Sequence, residues 1–189
     1  MKLVHLATAF FLAVAGFGTA QAQSNDDFLT IQLKDGPVVI QLMPDIAPKH
    51  VAQIKELAKK GEYDNVAFHR VIEGFMAQTG DVQFGDMESG FDASRAGTGG
   101  SSMPDLPAEF SSVPFERGTI GMARSQDPNS ANSQFFIMFA DGGFLNGQYT
   151  VVGKVVAGMD AVDKIKRGEG GNGEVSNPDR MVKVTVGRN

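Results

Sequence analysis

The chain has 189 residues, enough for one domain with a substantial core and little room for two. It contains no cysteine, which excludes a disulfide framework, a thiol nucleophile and a thiolate metal site. Its formal charge of −5 has the wrong sign for a nucleic-acid binder, whose electrostatics require a basic face.

In chain order, residues 1–22 read as a signal peptide. Lys2 supplies a positive start, residues 6–17 form an apolar run, and Ala20-Gln21-Ala22 has the small–x–small pattern of a cleavage site. The apolar run falls short of the roughly 20 residues that a membrane span needs. Cleavage after Ala22 leaves residues 23–189 as a single domain, with no membrane attachment expected. Losing Lys2 leaves 16 basic residues against 22 acidic ones, a charge of about −6.

Residues 28–33 alternate as a half-buried strand should, Asp35-Gly36 signals a turn, and residues 38–42 resume as its hairpin partner. From 47 to 60 the period lengthens. Val51, Ile54, Leu57 and Ala58 fall at helical spacing, with Pro48 suited to a first turn and Gly61 to a C-terminal stop. Residues 82–107 are irregular and rich in glycine. Gly97-Thr98-Gly99-Gly100 lacks the Lys-Ser/Thr that a phosphate loop would need. Strands are expected over 118–124, 133–139, 149–156 and 181–186, with a second helix over 157–167, where Met159, Val162 and Ile165 recur every three residues. In 133–139 the period of two sets Gln134 and Phe136 on one face and Phe135 and Ile137 on the other. About eight short strands and two amphipathic helices predict a mainly antiparallel closed sheet with helices at its ends, and periodicity alone leaves barrel and sandwich open.

The most informative stretch is 63–81, Y-D-N-V-A-F-H-R-V-I-E-G-F-M-A-Q-T-G-D. It opens as a strand carrying Arg70, a permanent cation with no acid at strand spacing to neutralise it. After a turn at Glu73-Gly74 come Phe75, Met76 and Gln78. A cation, two large apolar side chains and a neutral amide within nine residues suggest a shallow apolar pocket with one electrostatic point. Histidine is scarce: only His50 and His69 remain after cleavage, too few for a metal cluster. His69, among apolar neighbours, reads as structural. No G-x-S-x-G elbow exists to support a serine hydrolase.

Tyr63, Phe68-His69-Arg70, Gly74-Phe75-Met76, Gln78 and Gly80-Asp81, the run S-Q-F-F-I at 133–137, and F-L-N-G-Q-Y-T-V-V-G-K-V at 144–155 together resemble the signature blocks of the cyclophilin-type peptidyl-prolyl isomerases. The resemblance covers roughly residues 28–186. It implies a closed eight-stranded antiparallel β-barrel capped by two α-helices, and rotation of X–Pro bonds as the activity. It gives Arg70 the catalytic role. Phe75, Met76, Phe136 and Leu145 are implied to hold the proline ring, Gln78 and Gln134 to hydrogen-bond the peptide, and Ala123 and Arg124 to bind the residues before proline through their main chain. No cofactor and no metal is implied. The expected partners are unfolded or extended proline-containing polypeptides, bound by a monomer.

Departures from the best-known eukaryotic pattern are equally readable. Phe144 stands where those proteins have tryptophan, Tyr149 where they have histidine, and Arg124 where asparagine is frequent. The first loses an indole N–H donor, so only weak binding of cyclosporin is expected. These substitutions resemble those of bacterial exported members, which makes the periplasm the expected location, with secretion as the alternative; a cysteine-free chain suits that oxidising compartment. Two other function classes stay open at this point. One is a non-catalytic module that holds proline segments, which would not require Arg70. The other is a barrel carrier of a small apolar ligand, which the bulky interior residues disfavour.

Overall fold

The computed structural model describes residues 24–188, so the expected signal peptide lies outside the described residues. Eight strands form one sheet: β1 (Phe28–Leu33), β2 (Gly36–Leu42), β3 (Arg70–Ile72), β4 (Met76–Thr79), β5 (Thr119–Met122), β6 (Phe135–Met138), β7 (Val151–Ala157) and β8 (Lys183–Val186). Their spatial order is β3-β4-β6-β5-β7-β2-β1-β8, and every neighbouring pair is antiparallel. Two helices, α1 (Pro48–Lys60) and α2 (Met159–Val162), accompany the sheet. α1 packs on β8 and α2 on β2.

The sheet is curled but open, which corrects the expectation of a closed barrel. β3 and β8 are its two edges, and no ladder joins them. The backbone bonds across the seam come from the residues preceding each edge strand: Asn65 N–H donates to Met181 O (2.7 Å), Met181 N–H to Val66 O (2.9 Å) and Phe68 N–H to Asp179 O (2.8 Å). Beyond that point the outer edge of β3 is already occupied. Val71 N–H donates to Gly173 O (2.7 Å) and Val71 O accepts from Gly168 N–H (2.8 Å), so the loop at 168–175 fills the place a closing strand would take. A backbone hydrogen-bonding group can hardly serve two ladders, so the loop caps the edge that closure would have used. Gly173 permits the approach: its φ is +73°, and a Cβ would collide with Ile72.

The main core lies between one face of the sheet and the helices. Ile31, Ile40, Leu42, Val71, Ile120, Phe135 and Ile137 join Val51, Ile54 and Leu57 of α1 there, all buried. The opposite face of β4, β5 and β6 carries a second, smaller apolar cluster built from Met76, Phe115, Phe136, Met138, Leu145 and Val151. The period of two expected for 133–139 is therefore observed, with Phe135 and Ile137 in one cluster and Phe136 and Met138 in the other.

Helix α1 spans the residues its periodicity predicts and stops at Gly61, which takes a left-handed conformation at φ +74°. Its N-terminus has no side-chain cap of its own. Glu109 supplies one from 60 residues away, accepting from Lys49 N–H (3.2 Å), His50 N–H (3.1 Å) and His50 Nδ1 (2.6 Å). The second helix is shorter than expected. β7 runs on through Ala157, and after Val162 the chain continues in i→i+3 turns (Lys164 N–H to Ala161 O, Ile165 N–H to Val162 O). An apolar residue every third position suits such turns as well as it suits an α-helix. The predicted strand around Phe68 likewise shrinks to Arg70–Ile72, because Asn65 adopts φ +62° and Val66 and Ala67 bridge to Asp86 and Arg180 instead.

Glu109 generates a stability prediction. Burial pushes its pKa up, but the hydrogen bonds from the His50 side chain and from the His50 and Lys49 N–H groups outweigh this and hold it below its ordinary value of 4.5. Its ionised form therefore stabilises the fold above the ordinary value, and the contribution disappears as pH falls through the lowered one. Glu109→Ala is expected to reduce stability by about 1–2 kcal/mol at neutral pH, the range for losing a helix cap. Thermal unfolding across pH checks the sign: the deficit of the variant should shrink as the pH drops below the carboxylate range.

Candidate active site

The site grows from one register. Arg70 of β3 pairs with Gln78 of β4, Gln78 with Phe136 of β6, and Phe136 with Gly121 of β5. Residues directly opposite across a ladder share a face, so these four positions form a row across four strands on the face away from the main core. Gly121 is the silent member. A Cβ there would overlap the rings of both Phe136 and Phe115, which stack at 5.7 Å with 23° between planes. The β5–β7 register also shifts at Ile120/Gly121, the kind of bulge that glycine in a strand often marks.

Around this row lies a cleft of about 400 Å³. Arg70, Phe75, Met76, Gln78, Ala123, Arg124, Phe136, Phe144, Leu145 and Tyr149 line it, ten of the eleven site residues expected from sequence. Three elements deliver them. The β3–β4 hairpin, turning at Gly74 with φ +69°, brings Arg70 and Gln78 together with Phe75 and Met76. The short 3-10 turn at Gly143–Leu145 folds Phe144 and Leu145 over the opposite rim. The end of β5 contributes Ala123 and Arg124.

The floor is apolar and buried, through Met76, Phe136 and Leu145. Phe144 stands on the rim, 66 % exposed, with its ring 5.5 Å from that of Phe75. Tyr149 meets Phe136 edge-on at 5.9 Å.

Gln134, the eleventh residue, does not line this cleft. It sits in an adjoining polar recess with Asn132, Ser130 and Thr98. It is nonetheless connected, because Gln78 Nε2 donates to Gln134 Oε1 (3.0 Å) and Gln134 Nε2 donates to Gly99 O (2.7 Å). Arg70 closes the same chain at its other end, with Nη1 donating to Gln78 Oε1 at a long 3.4 Å and Nε donating to Asn172 O at 2.9 Å.

The two arginines of the cleft differ in what they have left to offer. Arg124 lies over the Tyr149 ring at 4.4 Å and donates to the carbonyls of Ser125 (2.9 Å), Gln126 (3.4 Å) and Gln148 (2.9 Å). Arg70 is half-buried, makes only the two contacts above, and has no described carboxylate within ion-pairing distance. Its charge is oriented by neutral dipoles and is not neutralised.

His69, next in the chain, takes no part in this hydrogen-bond network. It is 7 % exposed and neither ring nitrogen makes a hydrogen bond. Burial lowers its pKa, opposed by Asp81 and reinforced by Arg70. Among the described residues no group of three or more histidine, aspartate or glutamate side chains is arranged to hold a metal ion.

Sequence reasoning did not single out Gly121, Phe115, Gln148 or Asn172. A glycine between Ile120 and Met122 in a strand was the available signal for the first. The others enter through tertiary contacts alone.

The family model for the cyclophilin type peptidyl-prolyl cis-trans isomerase matches residues 28–186. A probable peptidyl-prolyl cis-trans isomerase of Brucella suis is 66 % identical over 184 residues, covering 96 % of this chain and 94 % of that one. Peptidyl-prolyl cis-trans isomerase B of Escherichia coli is 37 % identical over 146 residues, 73 % of this chain and 83 % of that one. Among solved structures, a cyclophilin from Hirschia baltica superposes with a TM-score of 0.72 at 27 % identity, covering 86 % of this chain and 74 % of its own. A Cryptosporidium parvum cyclophilin-type isomerase, crystallised in the presence of the dipeptide Ala-Pro, gives 0.73 at 25 % identity, with 86 % and 99 % covered. With a matching family model over most of its length and a matching fold, the chain belongs to the cyclophilin-type peptidyl-prolyl cis-trans isomerases.

Proposed function

We propose that the chain turns over X–Pro bonds by presenting Arg70 to the prolyl nitrogen as the amide twists. The reaction needs no acid, base or nucleophile. Its barrier is amide resonance, about 18–20 kcal/mol, and unassisted exchange takes tens to hundreds of seconds. In the planar ground states the prolyl nitrogen has no lone pair to offer. In the twisted state it has one and accepts a hydrogen bond. A donor fixed at that position binds the transition state better than either isomer, which is what lowers the barrier.

The observation that carries this reading is the state of the Arg70 guanidinium. It sits on the lip of an apolar cleft, is aimed by Gln78 and by Asn172 O, and has no carboxylate to quench it. Phe75, Met76, Phe136 and Leu145 hold the proline ring, with Phe144 and Tyr149 at the rim. Gln78, backed by Gln134, holds the peptide backbone. Ala123 and Arg124 bind the residues before proline through their main chain. Arg124 serves as a wall, since its guanidinium is already tied to three carbonyls and to Tyr149. The substrates are extended or unfolded proline-containing chains, in keeping with the Ala-Pro dipeptide present when the Cryptosporidium parvum relative was crystallised. The signal-like pattern of Lys2, the apolar run and Ala20-Gln21-Ala22 supports export of this activity to the periplasm.

Three outcomes test the reading. Arg70→Ala should fold like the parent by circular dichroism and lose of the order of a hundredfold in kcat/KM on a short X–Pro peptide. Unchanged turnover would remove Arg70 from the mechanism, and a folded parent with no turnover would leave a module that only binds proline segments. Phe144→Trp restores an indole N–H on an exposed rim. It should tighten cyclosporin binding about fivefold by calorimetry, the worth of one net hydrogen bond; no gain would defeat the donor argument. N-terminal sequencing of the exported protein should begin at Gln23, and an intact Met1 would overturn the cleavage.

A further inference from the structure

The loop at 82–98, which the mechanism above leaves unused, builds one wall of a second cleft of about 320 Å³ on the other side of Arg70. The opposite wall is the loop that caps β3, through Asn172, Glu174 and Val175. Both clefts contain Arg70 and Gln78, so they are contiguous around that pair. We propose that this second cleft is a specificity subsite that receives the side chain following proline and selects a primary amide, asparagine or glutamine. The inference rests on the proline-site reading above.

The selection follows from two charges that face one cleft without pairing. Arg70 and Glu174 are opposite one another in an antiparallel bridge, so their side chains leave the backbone on the same face. Both line the cleft, yet no ion pair forms between them. Arg70 has donors beyond the Nε and Nη1 hydrogen bonds already described, and the exposed Glu174 carboxylate is an acceptor with both oxygens available.

The two polar side chains that this loop sets in the cleft are engaged locally. Ser94 Oγ donates to Asp92 Oδ1 (2.6 Å) and Thr98 Oγ1 to Arg95 O (2.7 Å). His69, whose ring also borders the cleft, is buried and uncharged at neutral pH, so it adds no second cation.

A ligand group with an acceptor at one end and a donor at the other satisfies both charges, its carbonyl turned to Arg70 and its N–H to Glu174. A carboxylate meets Glu174 unfavourably, an ammonium meets Arg70 unfavourably, and a methyl group leaves both unanswered. Phe91, Ala93, Ala96 and Val175 supply the apolar flank for the methylenes that carry the amide.

The position after proline follows from the layout. Ala123 and Arg124, which take the preceding residues, stand on the side of the polar recess, and this leaves the Arg70 side for the departing chain. The wall is held in advance of binding. The buried Asp81 carboxylate accepts from the N–H groups of Gln83, Phe84, Gly97 and Gly99 at 2.7–3.1 Å, and Arg95 lies 3.6 Å over the Phe84 ring.

The test uses peptides that differ only after proline, as Ala, Asn, Gln, Asp or Lys, with exchange rates read by NMR for the parent, Glu174→Ala and Glu174→Gln. The parent should favour Asn and Gln over Ala by roughly tenfold in kcat/KM, the effect of new hydrogen bonds to charged groups. Glu174→Ala should turn over the Ala peptide as the parent does while that ratio collapses towards unity, and Glu174→Gln should improve the Asp peptide. Equal rates on all five peptides with the parent, or a ratio that survives Glu174→Ala, would overturn the subsite. If no peptide is turned over, the proline-site reading fails first, and calorimetry of the Asn and Ala peptides still decides the subsite: equal affinity overturns it.

Discussion

The pairing of β4 with β6 is the constraint on which the site depends. In the observed register Gln78 stands opposite Phe136 and Met76 opposite Met138, while Ala77 and Ile137 point into the main core. Slipping this pair by one residue would turn every side chain to the other face. Phe136 would enter the core, and Ala77 and Ile137 would emerge on the site face. The main core is dense, with Phe135 and Ile137 each 1 % exposed, so such a slip is strongly opposed. The geometry of the cleft and the packing of the core are thus two faces of the same four-residue strand. The site has its own apolar cluster beneath it and needs no cavity in the main core.

A second layer of contacts keeps that register tied to the rest of the chain. Tyr63 is fully buried, and its hydroxyl donates to Ser133 O (2.7 Å) while its ring meets Phe135 edge-on at 5.6 Å. Ser133 Oγ in turn donates to Gly80 O (2.7 Å), where Gly80, at φ +85°, lets the two backbones come close. These bonds anchor the entrance of β6 to the exit of β4. One residue further on, Asp81 gathers four backbone N–H groups and fixes the long loop that follows. The signature residues Tyr63, Gly80 and Asp81 therefore do their work behind the cleft, by holding the row of Arg70, Gln78 and Phe136 in line.

Local periodicity made parts of this legible in the sequence. Helix α1 and its stop at Gly61 followed from apolar spacing and a single glycine, because both are decided within one turn of the chain. The two faces of 133–139 followed from alternation. What escaped was decided by distant partners. Residues 63–72 have strand composition throughout, yet only three pair within the sheet, since Asn65 turns and Val66 and Ala67 find other partners. Closure of the barrel failed for the same kind of reason: the loop at 168–175 takes the edge of β3, and nothing near Arg70 in sequence announces it. The cap on α1 comes from Glu109, invisible to any rule that looks for capping residues next to the helix. In the site, the resemblance named the residues, while the register explains why Arg70 and Gln78, eight positions apart, end up side by side.

The position of Arg70 between water and core sets the strength of its field. A guanidinium buried without a counter-ion would destabilise the fold by several kcal/mol. A fully exposed one would be screened within about 8–10 Å by salt and weakened further by water. At the lip it is half-buried, and the groups that touch it are an amide oxygen and a backbone carbonyl. Neutral dipoles orient the cation and offset part of its desolvation without cancelling its charge, as a carboxylate would. Glu174 stands opposite Arg70 in the bridge and lines the same cleft, yet no ion pair joins the two. A carboxylate in contact would neutralise the guanidinium. The unpaired charges around the site are thus a single arrangement, in which the loop capping β3 both ends the sheet and supplies Glu174.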